Sequence, residues 1–501
     1  MVCSLLIAAL ALSPACRLDG RLLAVTVPEG GESGMHAAHM TVKLADFADT
    51  GLDAMVLVRG EGVSVPADDW NGVKFMMHFK RASSGVERWP GARLPTGDFG
   101  WRVASLRIPA DECRDGGEAE LFLGLQDSSG TVVFDMSTLE ITAARPLASA
   151  TNKDLVSSYT PDVSSMPVMR GVMSPARNMT EDDFCMLRSW GVTLLRYQMV
   201  RNWHGVDTNQ DLEEFDRWLD GRLDHFDCFV LPQAAKAGIK VVLDMHVPPG
   251  GRDKTGDMNM FYDERYARHF VETWRRIARR FKGRDALYGY DLVNEPAQRR
   301  PTKPGMDYWS LQLKAAEAIR SEDPAVAIVV ESNEWATPGE FANLSPMALD
   351  NVIYQVHMYD PIDYTHQRVM DRRMWTEAYP NAEKGWSAAR MREVVKPVRE
   401  FQLRHKARIY VGEFSAVCWA PGAENYLRDC IDMFESYGWD WSYHAFREWD
   451  GWSVEHAGAD AKSLRPSPDN ARRRALLDGF ARGRSGGSCR NGKEDFKGGQ
   501  R

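Results

Sequence analysis

Two glutamates in the second half of the chain are the first candidates for chemistry. Glu295 stands in the segment DLVNEP and Glu413 in the segment VGEFS, and each closes a short apolar run. Enzymatic hydrolysis of a glycosidic bond commonly requires two carboxyl groups. One donates a proton to the leaving oxygen, while the other attacks the anomeric carbon or activates water. The sequence therefore offers a pair of groups suited to acid–base or nucleophilic work.

Further polar residues close other apolar runs in the same half of the chain. They are Arg196, His246, Asn294, His357 and Tyr359. Polar side chains are costly inside an apolar segment unless they are paired, so their repeated place at the ends of such segments needs a reason. Each of these residues could merely cap a strand, but a single active-site opening (the mouth) at the strand ends would explain all of them. His357 and Tyr359 could orient a carboxylate there, and Arg196 could keep it ionised.

Eight apolar segments that alternate with amphipathic stretches must position these residues. The segments are, in order, VMRGVMS, GVTLLRYQM, IKVVLDMH, LYGYDLVNEP, AIVVESN, NVIYQVHMY, ARIYVGEFS and WDWSYHAFR. This alternation is typical of a parallel sheet built from strand–helix units. Eight such strands within residues 167–483 predict an α/β fold of the (β/α)8 barrel type. In that fold the active site lies at the carboxyl ends of the strands, where both glutamates would meet.

Residues 20–145 have a different pattern and predict an all-β accessory domain. Short segments with period-two alternation, such as AMVLVRGEG, are separated by Gly, Pro, Asp and Ser clusters, and no convincing helical period interrupts them. The pattern favours an antiparallel sandwich or jelly roll. Two interpretations stay open. The sandwich either binds a glycan through Trp70, Trp89 or Trp101, or braces the barrel.

Three stretches lie outside these two domains. Residues 1–16 contain an apolar run and end in Ser-Pro-Ala-Cys, which predicts a signal peptide or a lipoprotein signal with Cys16 as the anchor, although the usual basic start is missing. An ordinary apolar N-terminus is the alternative. Residues 146–166, rich in Ser, Thr, Pro and Ala, predict a linker, and residues 484–501 predict a disordered tail. The expected location is therefore secreted, periplasmic or at the cell surface.

Composition excludes several other classes of protein. The chain of 501 residues carries 62 Lys and Arg against 70 Asp and Glu, a net charge of −8, which argues against a nucleic-acid partner. No apolar run approaches the ~20 residues that span a bilayer. The six cysteines after Cys16 have no CxxC spacing, so most are expected to be free thiols. HExxH is absent from the sequence, and the matches to GxSxG at 483–487 and to GxxxxGK at 487–493 fall in the Gly-rich polar tail, away from any strand–helix unit that would support them. We expect a monomer.

The segments LLRYQ, DMH, DLVNEP, HMYDP and VGEFS together resemble the family-5 glycoside hydrolases, and the resemblance covers about residues 165–480. It implies that Glu295 is the general acid/base and Glu413 the nucleophile of a retaining double displacement. The carboxyl groups would then lie ~5–5.5 Å apart. It also implies that Arg196 and Tyr359 hold the nucleophile, and that the reaction needs no metal or cofactor.

The sugar-binding residues follow from the same resemblance, with one departure. His246, Asn294 and His357 would line the subsite of the sugar that is cleaved. Family members usually carry a Trp near the end of strand eight, where this chain has His444. An imidazole offers less flat apolar surface to a sugar ring than an indole does. Trp449 or Trp452, which follow shortly after, could supply the platform instead.

The resemblance implies hydrolysis of a β-linked polysaccharide, and an endo-β-1,4-glucanase is the first expectation. A β-mannanase or another β-glucanase of the same family remains an alternative, because loop shape sets specificity. A catalytically silent glycan-binding protein is the alternative from a different class. The intact pair Glu295 and Glu413 favours the enzyme, and His444 is the feature that favours the silent protein.

Overall fold

The structure, a computed structural model, describes most of the chain. The described residues are 10–68, 70–82, 85–92, 94–144, 167–203, 205, 208–300, 302–369 and 376–483. The predicted linker, the predicted tail and residues 1–9 of the predicted signal lie outside them. Two bodies are present, an N-terminal β-sandwich and a C-terminal barrel. The predicted fold class is thereby confirmed.

The sandwich consists of two five-stranded sheets, in the orders β1-β4-β9-β6-β7 and β2-β3-β10-β5-β8. Their strands are β1 Ala11–Leu12, β2 Cys16–Asp19, β3 Leu22–Val27, β4 Met35–Lys43, β5 Leu52–Val63, β6 Gly72–Lys80, β7 Glu87–Arg88, β8 Gly97–Ile108, β9 Glu118–Gln126 and β10 Gly130–Ala143. The pairs within each sheet are antiparallel. Alternation buries every second side chain of β5, including Leu52, Val56 and Val58, so both sheets close over one apolar core.

The start of the sandwich differs from the predicted boundary at residue 20. β1 pairs with β4 near His39, and β2 pairs with β3, with Cys16 opposite Val25. Cleavage before Cys16 would remove β1 and leave β2 in place. The signal peptide stays a prediction, and the sandwich as described begins at Ala11.

One helix, Ala110–Gly116, interrupts the strands of the sandwich, together with a 3₁₀ helix at Leu44–Phe47. The sequence did not indicate this helix. Seven residues make barely two turns, which is too short for a helical period to stand out. Its first turn follows Pro109, and Gly117 ends it with a φ of +63°, a backbone conformation that favours glycine.

Eight parallel strands close into a barrel in sequence order. They are β11 Arg170–Met173, β12 Leu194–Gln198, β13 Lys240–Asp244, β14 Leu287–Asp291, β15 Ala327–Glu331, β16 Val352–Met358, β17 Arg408–Phe414 and β18 Asp440–Tyr443. Each lies inside the segment predicted for it. Runs such as KVVLD in β13 are buried almost throughout, as expected for strands covered on both faces. A small hairpin, β19 His456–Ala457 and β20 Arg465–Pro466, follows the barrel.

Helices surround the barrel. The α-helices are Glu181–Trp190, Leu212–His225, Leu231–Ala237, Glu264–Phe281, Tyr308–Glu322, Ile362–Thr365, Ala388–Val394, Lys396–His405, Ala423–Tyr437 and Ala471–Ala481; 3₁₀ helices are Asn259–Phe261 and Pro338–Asn343, and Phe226–Val230 is a π-helix. Helix Glu264–Phe281 begins at the cap Asp263 and buries Phe270, Trp274 and Ile277 on one face. Among the described residues, no helix is long and apolar enough to cross a bilayer.

The sandwich touches the barrel through its edge strand β8. The hydroxyl of Ser105 donates a hydrogen bond of 2.9 Å to the backbone carbonyl of Arg299, in the loop after β14. Loops after the strands of such a barrel form its active-site mouth. The sandwich is therefore docked beside the end of the barrel where the predicted site residues lie.

Candidate functional site

The predicted residues meet at the carboxyl ends of the barrel strands. Arg196 lies in β12, His357 in β16 and Glu413 in β17, while Glu295 follows β14 and His444 follows β18. Parallel strands in a closed barrel end on the same rim, which is why residues up to about 250 positions apart come together. His246, Asn294 and Tyr359 join them from the ends of β13, β14 and β16.

The two glutamates face each other across His357. The Nδ1 atom of His357 lies 3.0 Å from Oε1 of Glu295 and 3.7 Å from Oε2 of Glu413. A ring nitrogen of His357 and one carboxylate oxygen of each glutamate all lie within 4.8 Å of one another. Carboxylate oxygens this close are compatible with the ~5–5.5 Å between carboxyl groups at which one carboxylate can attack a sugar carbon while the other protonates the leaving oxygen.

Glu413 is held as an anion. Arg196 donates to its Oε1 at 2.6 Å, and the Tyr359 hydroxyl donates to its Oε2 at 2.8 Å. Burial opposes ionisation of this carboxyl, but the positive charges of His357, His444 and Arg196 outweigh burial and hold its pKa well below the usual range. An ionised carboxylate that is fixed in place is the state a nucleophile requires.

Arg196 is itself the centre of a buried ionic network. Its guanidinium lies 2.8 Å from Asp291, 3.0 Å from Glu331 and 3.3 Å from Asp244, all four side chains being inaccessible to solvent. Burial raises the pKa of Asp291 to about 6 and that of Glu331 well above its usual range. One cation cannot neutralise four surrounding carboxylates including Glu413. Protons retained on Asp291 and Glu331 therefore reduce the excess negative charge.

Glu331 was not among the predicted site residues, although it supports two of them. Its Oε2 accepts the backbone N–H of Glu295 at 2.7 Å, and its Oε1 accepts from Arg196 and from the amide of Gln355. The backbone of Glu295 has a φ of +50°, which is unfavourable for a residue with a side chain. Glu331 therefore helps to hold Glu295 in the conformation that points it across the mouth.

His246 and Asn294 form the neighbouring wall. Nδ1 of His246 lies 2.8 Å from Asp244, and its Nε2 lies 3.3 Å from the amide nitrogen of Asn294. The amide oxygen of Asn294 accepts from Arg196 at 2.9 Å, which leaves its NH2 group to donate to His246. This network assigns the proton of a neutral His246 to Nδ1 and fixes both side chains at the mouth.

Comparison with known families agrees with this geometry. The family model for cellulase, glycosyl hydrolase family 5, matches residues 158–450, more than half of the chain. The chain belongs to glycosyl hydrolase family 5. It is a glycoside hydrolase with a cellulase-like barrel, and the predicted resemblance is confirmed.

Individual relatives are similar at low identity. Endoglucanase C of Acetivibrio thermocellus is 26% identical over 245 residues, which cover 42% of this chain and 69% of the relative. Cellodextrinase A of Ruminococcus flavefaciens is 24% identical over 252 residues, covering 47% of this chain and 68% of the relative. A solved endoglucanase from Thermotoga maritima is 21% identical, covers 62% of this chain and 96% of its own, and superposes with a TM-score of 0.46.

One wall of the mouth of this family-5 hydrolase combines two tryptophans and an arginine. The guanidinium of Arg252 lies 5.0 Å from the ring of Trp203 and 4.2 Å from that of Trp335. Trp203 in turn lies 4.8 Å from the His246 ring. Burial lowers the pKa of Arg252 to about 10, so it still carries its charge at neutral pH. The sequence analysis did not single out Trp335 or Arg252.

Trp335 stands in an unusual turn. Glu334, Trp335 and Ala336 have φ values of +49°, +64° and +56°, so three successive residues with side chains adopt the left-handed conformation. Such residues are normally isolated. Propensity rules give no signal for this turn, because they assign positive φ mainly to Gly and Asn.

The position expected for a strand-eight tryptophan holds the imidazole of His444. Its Nε2 lies 3.2 Å from Glu448, and burial opposes its protonation, whereas Glu448 and Glu413 raise its pKa above the usual value. The two predicted substitutes pack against other rings. Trp452 is 7% exposed and packs 5.5 Å from His444, and Trp449 packs 5.8 Å from Trp419.

The group formed by Glu295, His357 and Glu413 is compact enough to be considered for a metal ion. Its donor atoms are already engaged, since Glu413 receives Arg196 and Tyr359 while His357 contacts Glu295. A guanidinium 2.6 Å from one carboxylate repels a second cation at the same place. The donor set fits paired-carboxylate chemistry rather than metal binding.

Proposed function

We propose that this family-5 glycoside hydrolase is a retaining endo-β-1,4-glucanase, with Glu413 as nucleophile and Glu295 as general acid/base. The observation that carries the proposal is the close approach of the two glutamates around His357, with one carboxylate oxygen of each within 4.8 Å of the other. An inverting enzyme needs ~6.5–9.5 Å between its carboxyl groups to seat a water molecule. The short distance supports direct attack by a carboxylate.

In the first step an oxygen of Glu413 forms a bond to the anomeric carbon, and the bond from that carbon to the leaving oxygen breaks. Glu295 transfers its proton to the leaving oxygen. In the second step Glu295 takes a proton from water, the water oxygen attacks the anomeric carbon, and Glu413 leaves as a carboxylate. Both groups return to their starting states.

The other polar residues have supporting roles in this proposal. Arg196 and Tyr359 hold Glu413 ionised and oriented, as their hydrogen bonds of 2.6 and 2.8 Å support. His246, Asn294 and His357 bind hydroxyls of the sugar that is cleaved. His444 contacts the same sugar from the end of β18, with Trp452 supporting it from behind and Trp449 beyond.

The substrate is proposed from the relatives. Several of them are named endoglucanases, which favours β-1,4-glucan, while β-mannan and other β-glucans remain the alternatives within the family. We further propose that the protein acts outside the cytoplasm as a monomer, and that no cofactor and no nucleic acid takes part.

Product analysis on soluble polymers tests the proposal. Wild type is incubated with carboxymethyl-cellulose, mixed-linkage β-glucan and β-mannan, and the anomer formed first is identified by proton NMR. We expect new reducing ends from β-1,4-glucan, released as the β-anomer, and none from Glu413→Ala. An α-anomer as first product would contradict the retaining mechanism. Cleavage of mannan alone would contradict the glucanase assignment.

A matched control separates loss of chemistry from loss of folding. Glu317 is exposed on helix Tyr308–Glu322, away from the mouth, so Glu317→Gln should keep full activity. Glu413→Ala should still bind oligosaccharide if it is folded. Wild type that binds every polymer and cleaves none would favour the silent glycan-binding protein.

A further inference from the structure

A cavity of about 320 Å³ lies where the sandwich meets the barrel. The sandwich contributes Arg102, Val103 and Ser105 of β8, and the barrel contributes the loop Asp253–Asp257 together with Arg299 and Arg300. Both barrel segments follow strands at the active-site end, after β13 and β14. Its volume lies at the lower end of the range of small-molecule sites, enough for one or two sugar rings.

The barrel wall of the cavity is fixed by its own ion pairs. Arg300 contacts Asp253 at 2.6 Å and Asp257 at 3.2 Å, and the Tyr262 hydroxyl donates to Asp257 at 2.7 Å. Asp257 is inaccessible to solvent. Both acidic side chains of the wall are therefore already neutralised, and the wall is preorganised.

Two basic side chains of the cavity have no such partner. Among the described residues, no ion pair joins Arg102 or Lys254 to a carboxylate, and Nε of Arg102 is buried without a hydrogen-bond acceptor. Two cations without a carboxylate partner leave the cavity with a net positive charge, which favours an anionic ligand.

Features beside the cavity indicate that the anion is part of a sugar. Trp101 and Val103 lie on the same face of β8, two residues apart, and are 47% and 39% exposed. An exposed indole next to polar groups is a usual platform for a sugar ring. Thr255 adds a hydroxyl from the barrel side. A bare inorganic anion would make no use of the apolar face.

The cavity also adjoins the proposed active site. Arg299 is four residues after Glu295 in the same loop, and a Cβ on Gly256 would lie 3.1 Å from the ring of Trp335. The loop Asp253–Asp257 thus has Trp335 on one side and the cavity on the other. A polysaccharide bound at the glutamates and continuing past Trp335 would reach β8.

We infer that the cavity between sandwich and barrel binds a hexuronate residue of the substrate chain, with Arg102 and Lys254 contacting its carboxylate and Trp101 stacking on an adjacent ring. The inference rests on the proposed function, because it takes the glycan as the substrate. It gives the enzyme a preference for β-glycans that carry uronic acid units.

Calorimetry on the full chain tests the inference, with Glu295→Gln present so that ligands are not cleaved. Two β-1,4-linked gluco-oligosaccharides of equal length are compared, one neutral and one carrying a glucuronate unit. We expect the acidic ligand to bind about tenfold more tightly, as charge-assisted hydrogen bonds would give, and less so at high salt. Adding Arg102→Gln and Lys254→Gln should reduce its affinity to that of the neutral ligand.

Lys43→Gln is the matched control, because Lys43 is exposed at the end of β4 in the other sheet. It should change neither affinity. Equal binding of both ligands to the parent protein would overturn the inference, as would a double variant that keeps the preference. Displacement of the acidic ligand by inorganic phosphate at the same concentration as by free glucuronate would also overturn it, in favour of a simple anion site.

The experiment separates the two proposals. Cleavage of the neutral glucan by the otherwise unaltered Arg102→Gln/Lys254→Gln protein at the wild-type rate is expected, because neither residue belongs to the glutamate site. If wild type cleaves no glucan while the acidic ligand still binds in the cavity, the proposed function fails and the binding site stands. If the glucan is cleaved and the preference is absent, only the inference fails.

Discussion

The barrel mouth and the interior of the sandwich bury very different chemistry. The mouth encloses Arg196 with Asp244, Asp291 and Glu331, all inaccessible to solvent. The sandwich core is built from hydrophobic side chains, and the ion pair of Arg107 with Asp53 in that domain remains partly exposed. A buried charge cluster is a poor way to stabilise a fold, whereas an apolar core is an efficient one. The difference separates the region that is organised for reaction from the region that is organised for stability.

The proposed nucleophile gives the most severe test of that separation. Glu413→Gln removes the attacking anion while keeping its shape, so kcat should fall by about 10⁴-fold or more. The far-ultraviolet circular dichroism spectrum and thermal midpoint should stay close to wild type. Retention of more than a few per cent of activity would mean that another group attacks the sugar.

Substitution of the proposed proton donor should have a smaller and substrate-dependent effect. Glu295→Gln should lower kcat by about 10²- to 10⁴-fold on cellulosic substrates, because proton transfer to the leaving oxygen is lost. An aryl glycoside with an acidic phenol leaves without protonation, so its first step should be nearly unaffected. Burst kinetics of phenol release measure this, and equal losses on both substrates would exclude the acid role.

Glu331 tests whether the buried network serves Glu295 and Arg196. Glu331→Leu leaves the N–H of Glu295 and one face of Arg196 without an acceptor, which should lower the free energy of unfolding by about 3–5 kcal/mol and reduce kcat. Glu331→Gln keeps an acceptor oxygen and should restore most of both. A changed pH–rate profile in Glu331→Gln would show a role in charge balance that a purely structural residue would not have.

A core substitution in the sandwich should have the opposite signature. Phe75 in β6 is fully buried, and Phe75→Ala should destabilise the sandwich by about 3–5 kcal/mol. Below its unfolding temperature this variant should keep the wild-type kcat on small soluble substrates. Phe270→Ala, an equally buried change in the barrel, is the control and should lower stability and activity together. Loss of activity in folded Phe75→Ala would show that the sandwich core contributes to catalysis as well as to stability.

The smallest expected effect concerns acid stability. Burial opposes ionisation of Asp183, but hydrogen bonds from Arg177 and from the Thr180 backbone outweigh it and lower the pKa of this carboxyl from 3.8 to about 2. Its contribution to stability is therefore complete above pH 3.8 and is lost as the pH falls towards 2. Asp183→Asn should flatten the decline of unfolding free energy across that interval. Asp478→Asn, at an exposed position, should leave the slope unchanged.

The sequence was sufficient to predict the barrel and its eight strands and to place the two glutamates at strand ends, because long buried segments and polar strand ends are local signals. Asp291 and Glu331 close β14 and β15 with the same signal, yet their role depends on meeting Arg196 across the barrel, a contact between distant segments. The exposure of Trp452 depends equally on packing against His444. Trp335 needs a left-handed turn for which the residues Asn-Glu-Trp-Ala give no indication.

That turn has a consequence for attempts to make the enzyme tolerate heat. Each residue with a side chain held at positive φ costs about 1–3 kcal/mol, and Glu334, Trp335 and Ala336 are three in a row. Glycine at position 336 would remove part of that strain, so selection for heat resistance alone should favour it. The same change would loosen the segment that presents Trp335 to the mouth. Variants selected only for thermal stability are therefore expected to change this turn early and to have a lower kcat as a result.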